Sequence, residues 1–158
     1  MASFYDQLVN ATGPSAKNIS LFAVPAMWLV NMSAHFYAIS LTRGKFTNAS
    51  PRGYVNDVAR KEKKAAWEQK FIRAEAAQMN GFENIGWFAA AVVAGNFAKI
   101  PAAELNTLAG GYLLTRILFT FVYIQTTDEV LSALRSVLYV AGVAINSTLF
   151  IKAGLRLQ

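Results

Sequence analysis

The chain contains no cysteine. That excludes disulfides, zinc–thiolate sites and a protein thiol nucleophile, so any thiol chemistry needs a thiol brought by a ligand. A single histidine in 158 residues argues against a histidine metal site or a catalytic triad. Charge is scarce too. Only 15% of residues are charged, where a soluble domain carries about 25%. No internal repeat or low-complexity tract is visible. The first ten residues, MASFYDQLVN, have neither the basic start nor the short apolar core of a signal peptide.

What is present is apolar. Hydrophobic residues make up 54% of the chain, and the mean hydropathy is +0.31. The length predicts one domain. Most charges lie between Arg43 and Glu75, and four apolar stretches hold almost none. A membrane helix needs about 20 mostly apolar residues. The pattern therefore predicts spans at about 19–41, 76–98, 105–124 and 130–151. Pro25 lies early in the first span, where a membrane helix tolerates it. Gly44, Pro51 and Gly53 break the polar stretch that follows. From Val58 a helical pattern resumes and runs without a breaker into the second span, as an extension outside the membrane. Residues 43–75 are thus read as a cytosolic loop and helix extension. Pro101 marks a short turn, and Thr126 with Glu129 has capping-box spacing, which starts the last helix near Thr127. Short connections make neighbouring helices antiparallel. The expected fold is all-α: an integral membrane four-helix bundle, left-handed and antiparallel.

Net charge is +6, but basic residues beside spans account for it better than nucleic acid does. Nine Lys/Arg fall between Arg43 and Arg73, against Lys17, Lys99, Lys152 and Arg156 on the opposite side. The positive-inside rule then puts the loop in the cytosol and both termini in the lumen or exterior. The run Arg60, Lys61, Lys63, Lys64 reads as a headgroup-facing anchor. Sequons at Asn10 and Asn18 are weak signals.

Ionisable groups inside spans need a partner or a role. Glu83, Arg116 and Arg135 stand out. Arg116 and Arg135 each lie eight residues from an expected helix end, about 12 Å deep. Arg73, Asn80, Glu83 and Asn84 share one helix face by spacing. Arg116 shares a face with Tyr123, and Arg135 with Tyr139, with Ser136 and Ser132 nearby. Two guanidiniums against one carboxylate invite an anionic ligand. The same residues also permit a plainer account. Glu83 and an arginine can form a buried ion pair, an arginine can snorkel, and Asn80 and Asn84 can bond between helices. Tyr123 and Tyr139 can be belt aromatics, and His35 a packed or interfacial side chain. Small residues along the second span (Ala74, Ala77, Gly81, Ala90, Ala94) allow close helix packing.

The stretch RAEAAQMNGFENIGWF (Arg73 to Phe88), Arg116 followed by Tyr123, and RSVLY (Arg135 to Tyr139) resemble the MAPEG superfamily. These are the membrane-associated proteins of eicosanoid and glutathione metabolism. The resemblance covers about residues 42–155, and its wording is closer to the bacterial and fungal branch. It implies a homotrimer in the bilayer, with glutathione bound between subunits near the cytosolic face and a lipophilic substrate reaching the site from the membrane. It implies glutathione-binding roles for Arg43, Arg73, Gln78, Asn80, Glu83, Arg116, Tyr123 and Tyr139. Arg135 and Ser136 would then stabilise the thiolate of a transferase, peroxidase or isomerase, housed in the endoplasmic reticulum or another endomembrane. The chain departs from the pattern twice. Ala76 stands where many members have a second arginine, and Phe119 where several have a histidine. Those departures keep open a membrane protein of this fold with a binding or structural role and little glutathione chemistry, or an isomerase that does without the thiol.

Overall fold

The computed structural model describes residues 10, 12–13 and 15–158, and omits the side chains of 129–131. Nearly all of MASFYDQLVN, the segment read above for a signal peptide, lies outside the described residues. A 3-10 turn at Ser20–Phe22 leads into α1, Ala23–Leu41. Then follow α2, Pro51–Arg60; α3, Ala66–Phe97; α4, Ala102–Gln125; and α5, Glu129–Arg156.

Local chemistry sets these boundaries. Beyond α1, Arg43 and Gly44 take φ of 51° and 82°, left-handed values that end the helix and reverse the chain. Pro51 opens α2 at the first helical position, where its missing N–H costs nothing. Lys99, at φ 54°, and Pro101 form the turn between α3 and α4. Two expectations are corrected. The extension before the second span is not continuous from Val58. Val58 to Arg60 belong to α2, and the chain is non-helical from 61 to 65. A helix through here would stack Lys61 on Lys64 and Arg60 on Lys64, like charges three and four residues apart that disfavour it, and Glu68 rewards the break. Its carboxylate accepts the Ala65 N–H at 2.8 Å and pairs with Lys61 at 2.5 Å. The last helix starts at Glu129, two residues later than expected, and the Ser132 N–H bonds the Asp128 carbonyl. The Glu129 side chain, half of the expected capping box, is outside the described set.

The four long helices lie side by side and antiparallel, as their cross-contacts show. Trp28 meets Phe82 and His35 meets Glu75 between α1 and α3. Asn80 meets Arg116 and Phe88 meets Tyr112 between α3 and α4. Phe119 meets Tyr139 and Glu104 pairs with Lys152 between α4 and α5. Three described helices are long and apolar enough to cross a membrane: Ser20–Leu41, Ala102–Gln125 and Ser132–Arg156. The second expected span falls inside α3, where Gln78, Asn80, Glu83, Asn84 and Asn96 dilute the apolar run.

Two apolar clusters hold the helices together. One contains Met27, Phe88, Val92, Leu105, Tyr112 and Leu149. The other, at the end carrying α2, contains Ala34, Ala38, Val58, Phe71, Ala77 and Ile124. The apolar face of α2 closes this second cluster, with Tyr54 edge-on to Phe71 at 5.6 Å. Between the clusters lies a polar layer. Asn31 enters it from α1, Asn80 from α3 and Arg116 from α4. Gly81 makes the layer possible, because a Cβ there would fall on the Asn31 amide.

Candidate functional site

Two cavities flank α3. The first, about 440 Å³, is walled by Asn80 on α3, Phe119 and Tyr123 on α4, and Ser132, Arg135, Ser136 and Tyr139 on α5. Arg116 lies behind its wall and is 1% exposed. Its Nη2 donates to Asn80 Oδ1, and its guanidinium lies 4.3 Å from the Phe119 ring centre. Arg135 stacks over Tyr123 at 4.7 Å. Phe119 spans the two levels, 5.4 Å from Tyr123 and 6.5 Å from Tyr139. Spacing along the helices explains the arrangement. Arg116, Phe119 and Tyr123 follow one stripe of α4, and Arg135, Ser136 and Tyr139 face them from antiparallel α5. Counted from the observed helix ends, Arg116 lies about 14 Å deep and Arg135 about 9 Å, so they occupy adjacent levels rather than one.

The second cavity, about 690 Å³, lies on the other flank of α3, between α1 and α3 and beneath α2. Its polar wall holds His35, Glu75, Gln78, Glu83, Arg52 and Asn56. Its apolar wall holds Phe46, Val55, Met79 and Phe82. The predicted helix face is thereby divided. Asn80 joins the arginine cavity. Glu83 turns about 60° away and is exposed in the α1–α3 cavity with Gln78. Among the described residues neither Glu83, Arg116 nor Arg135 takes part in an ion pair, so the plainer alternative of a buried Glu83–arginine pair is not seen among them. The reason is geometric: α3 is gripped by α1 on one side and by α4 and α5 on the other, and the boundary falls between positions 80 and 83. Arg73 is likewise drawn off, its Nε donating to the Ile124 carbonyl at 2.9 Å. Asn84 spends its amide on the Asn80 carbonyl at 2.8 Å. Arg43 is exposed past the end of α1.

Several residues were not legible beforehand. His35 Nδ1 lies 2.8 Å from Glu75 Oε1, so the lone histidine is a paired wall residue rather than simple packing. Asn31, Asn146 and Tyr112 are buried with side-chain polar atoms unpaired among the described residues, as is Arg116 Nε. An asparagine inside an apolar run is itself a signal, because such a group is costly in hydrocarbon. Outside the apolar spans, the hydrogen bonds from Lys61 and the Ala65 N–H hold Glu68 below the usual carboxylate range, and Glu68 in turn raises Lys61.

The sequence model of the MAPEG family matches residues 20–155. The chain belongs to the MAPEG family. No curated protein and no solved structure matches it. As a MAPEG member with three apolar helices of spanning length, it is a membrane protein. The match covers both cavities and every helix from the Ser20 turn to α5.

Proposed function

We propose that this MAPEG protein is a glutathione-dependent membrane enzyme that conjugates, reduces or isomerises a lipophilic substrate, and that it works as a homotrimer. One observation carries the reading: Arg135 lines a cavity with Asn80, Arg116 lies behind that wall bonded to Asn80, and no carboxylate pairs with either guanidinium among the described residues. Glutathione, the family's usual cosubstrate, has two carboxylates, and arginine grips carboxylates in bidentate fashion. A free thiol has a pKa of about 8.5. Arg135 with the Ser136 hydroxyl would lower it and hold the thiolate, while Asn80, Tyr123 and Tyr139 orient the peptide.

Glu83 supports the trimer. It lies one turn deeper than Asn80, yet is exposed in the α1–α3 cavity. A charged side chain facing hydrocarbon costs about 2.5–3.5 kcal/mol, so a neighbouring copy is expected to cover it. The site would then be shared: Gln78 and Glu83, with Arg43 and Arg73 nearer the surface, from one subunit, and the arginine cavity from the next. In this reading α3 is the fourth span, the basic loop is cytosolic, both termini are lumenal, and the membrane is the endoplasmic reticulum or another endomembrane.

A second reading is favoured by Phe119 and Ala76. Phe119 is buried against Arg116 and leaves no titratable group at the position where several relatives carry a histidine. A binding or structural role with little thiol chemistry follows from that. Calorimetry of glutathione on the purified protein separates the readings. Co-assembly of Glu83→Ala with Arg135→Ala chains then tests the shared site. Partial return of binding supports division between subunits; mixed assemblies without binding, beside a wild type that binds, place the site within one chain.

A further inference from the structure

The α1–α3 cavity contains a feature that the proposed thiol chemistry does not use, the His35–Glu75 pair. We infer that this cavity binds a lipophilic molecule whose head donates hydrogen bonds, a hydroxyl or an ammonium, with the His35–Glu75 pair as its anchor.

Size permits it. The cavity is about 690 Å³, within the range of about 300–1,000 Å³ typical of small-molecule sites. Its walls suit an apolar body: Phe46, Val55, Met79 and Phe82 line it, and the first two close it from the α2 side. Its polar groups select the head. Glu75 holds the Nδ1 edge of His35 at 2.8 Å. With Nδ1 turned to the carboxylate, Nε2 is the ring nitrogen left to meet a ligand. Glu75 and Glu83 add carboxylate oxygens, and Gln78 an amide. Arg52, on exposed α2, is the one guanidinium in the wall. Two carboxylates against one guanidinium repel an anionic head and attract a donor. A fatty acid is therefore the wrong ligand, and a long-chain alcohol or amine the right one.

Gln78 and Glu83 sit in the same wall, so this ligand would lie next to the thiol peptide. The inference deepens the proposed reading by naming a substrate class, and rests on it only for the reaction. Binding is independent and is tested without glutathione. The probes are diazirine-bearing alkyl chains of equal length ending in a hydroxyl, an amine or a carboxylate. They are photolysed with the purified full-length protein in nanodiscs, and the labelled peptides are mapped by mass spectrometry. The alcohol and the amine should label the peptides carrying Val55 and Met79, competed by unlabelled probe, and the acid should not. Met79→Trp fills the cavity from an exposed position, 61% accessible, and should abolish labelling without touching the core. His35→Phe should weaken it about tenfold, the loss of one good hydrogen bond. Equal labelling by the acid, or alcohol labelling that survives Met79→Trp, overturns the inference. If His35→Phe does not assemble, Met79→Trp decides alone. Failure of glutathione to bind in calorimetry, with alcohol labelling intact, would sink the thiol reading and leave this site standing.

Discussion

Removing the Asn80 side chain tests whether the buried cation is held by this one partner. In Asn80→Ala the Arg116 guanidinium loses the amide oxygen that accepts from Nη2. Its Nε has no partner among the described residues, and with Arg116 1% exposed only water entering from the Asn80-lined cavity can stand in for the lost acceptor. A hydrogen bond to a charged group contributes about 1.5–3 kcal/mol. For a chain of this size each kcal/mol moves Tm by about 2–4 °C. The variant should therefore melt roughly 3–12 °C below wild type when unfolding is followed by tryptophan fluorescence in one detergent without ligand. The companion is Asn80→Leu with Arg116→Met. Replacing both partners of a buried hydrogen bond by apolar groups of similar shape can be nearly neutral or stabilising. The double variant should thus recover most of the loss, with a coupling energy of about 1 kcal/mol or more in the double-mutant cycle. Additive losses, or an Asn80→Ala variant that melts with wild type, would refute the claim that Asn80 compensates Arg116.

Gly81→Ala should cost about 1–2 kcal/mol net by thermal unfolding, because overpacking against the Asn31 amide exceeds the helix-propensity gain; a stabilised variant contradicts the close approach. The Lys61–Glu68 brace should respond to pH. Glu68 is held below its ordinary value, so its contribution is present above about pH 4.3 and lost as pH falls through the lower folded value. Lys61 is raised, so its contribution is complete below about pH 10.4 and lost as pH rises through the higher folded value. Limited proteolysis across residues 61–65 should accelerate at the acid end, and Glu68→Gln should accelerate it at neutral pH too; an unchanged cut rate in Glu68→Gln removes the brace. Arg135→Ala should lower thiol-dependent turnover about a hundredfold or more with helicity unchanged, and full activity would take Arg135 out of the mechanism. A tag at Gln158 should be protected in intact membranes, and its exposure to the cytosol would invert the proposed topology.

Helix positions were legible because apolar runs of spanning length are hard to mistake. The expected 105–124 is observed as Ala102–Gln125, and 19–41 as the Ser20 turn with α1. The grouping of Arg116, Tyr123, Arg135, Ser136 and Tyr139 was legible too, since antiparallel stripes of period 3.6 can meet in only a few ways. Periodicity gives a face but not the neighbour that it faces. Asn80 and Glu83 therefore look alike in sequence and part company only when α1 and α4 take opposite flanks of α3. His35 and Glu75 are 40 residues apart, and nothing local marks them as partners. The break at 61–65 was hidden because its residues are ordinary helix formers. Crowded positive charge and the Glu68 cap decide it instead.

The tether between Asn80 and Arg116 has a consequence for biogenesis. α4 is apolar enough to span, but an arginine near mid-helix costs about 2.5–3.5 kcal/mol on insertion scales and erodes its preference for lipid. By the time it leaves the ribosome, α3 has already emerged with the acceptor that Arg116 needs. Only the Ala98–Pro101 turn separates the two helices, so they can partition as a hairpin with the guanidinium already bonded. Synthesised without α3, α4 should stall at the insertion machinery or slip past it. An Asn80 variant should then lose yield during translation, before any folded protein exists to be unstable.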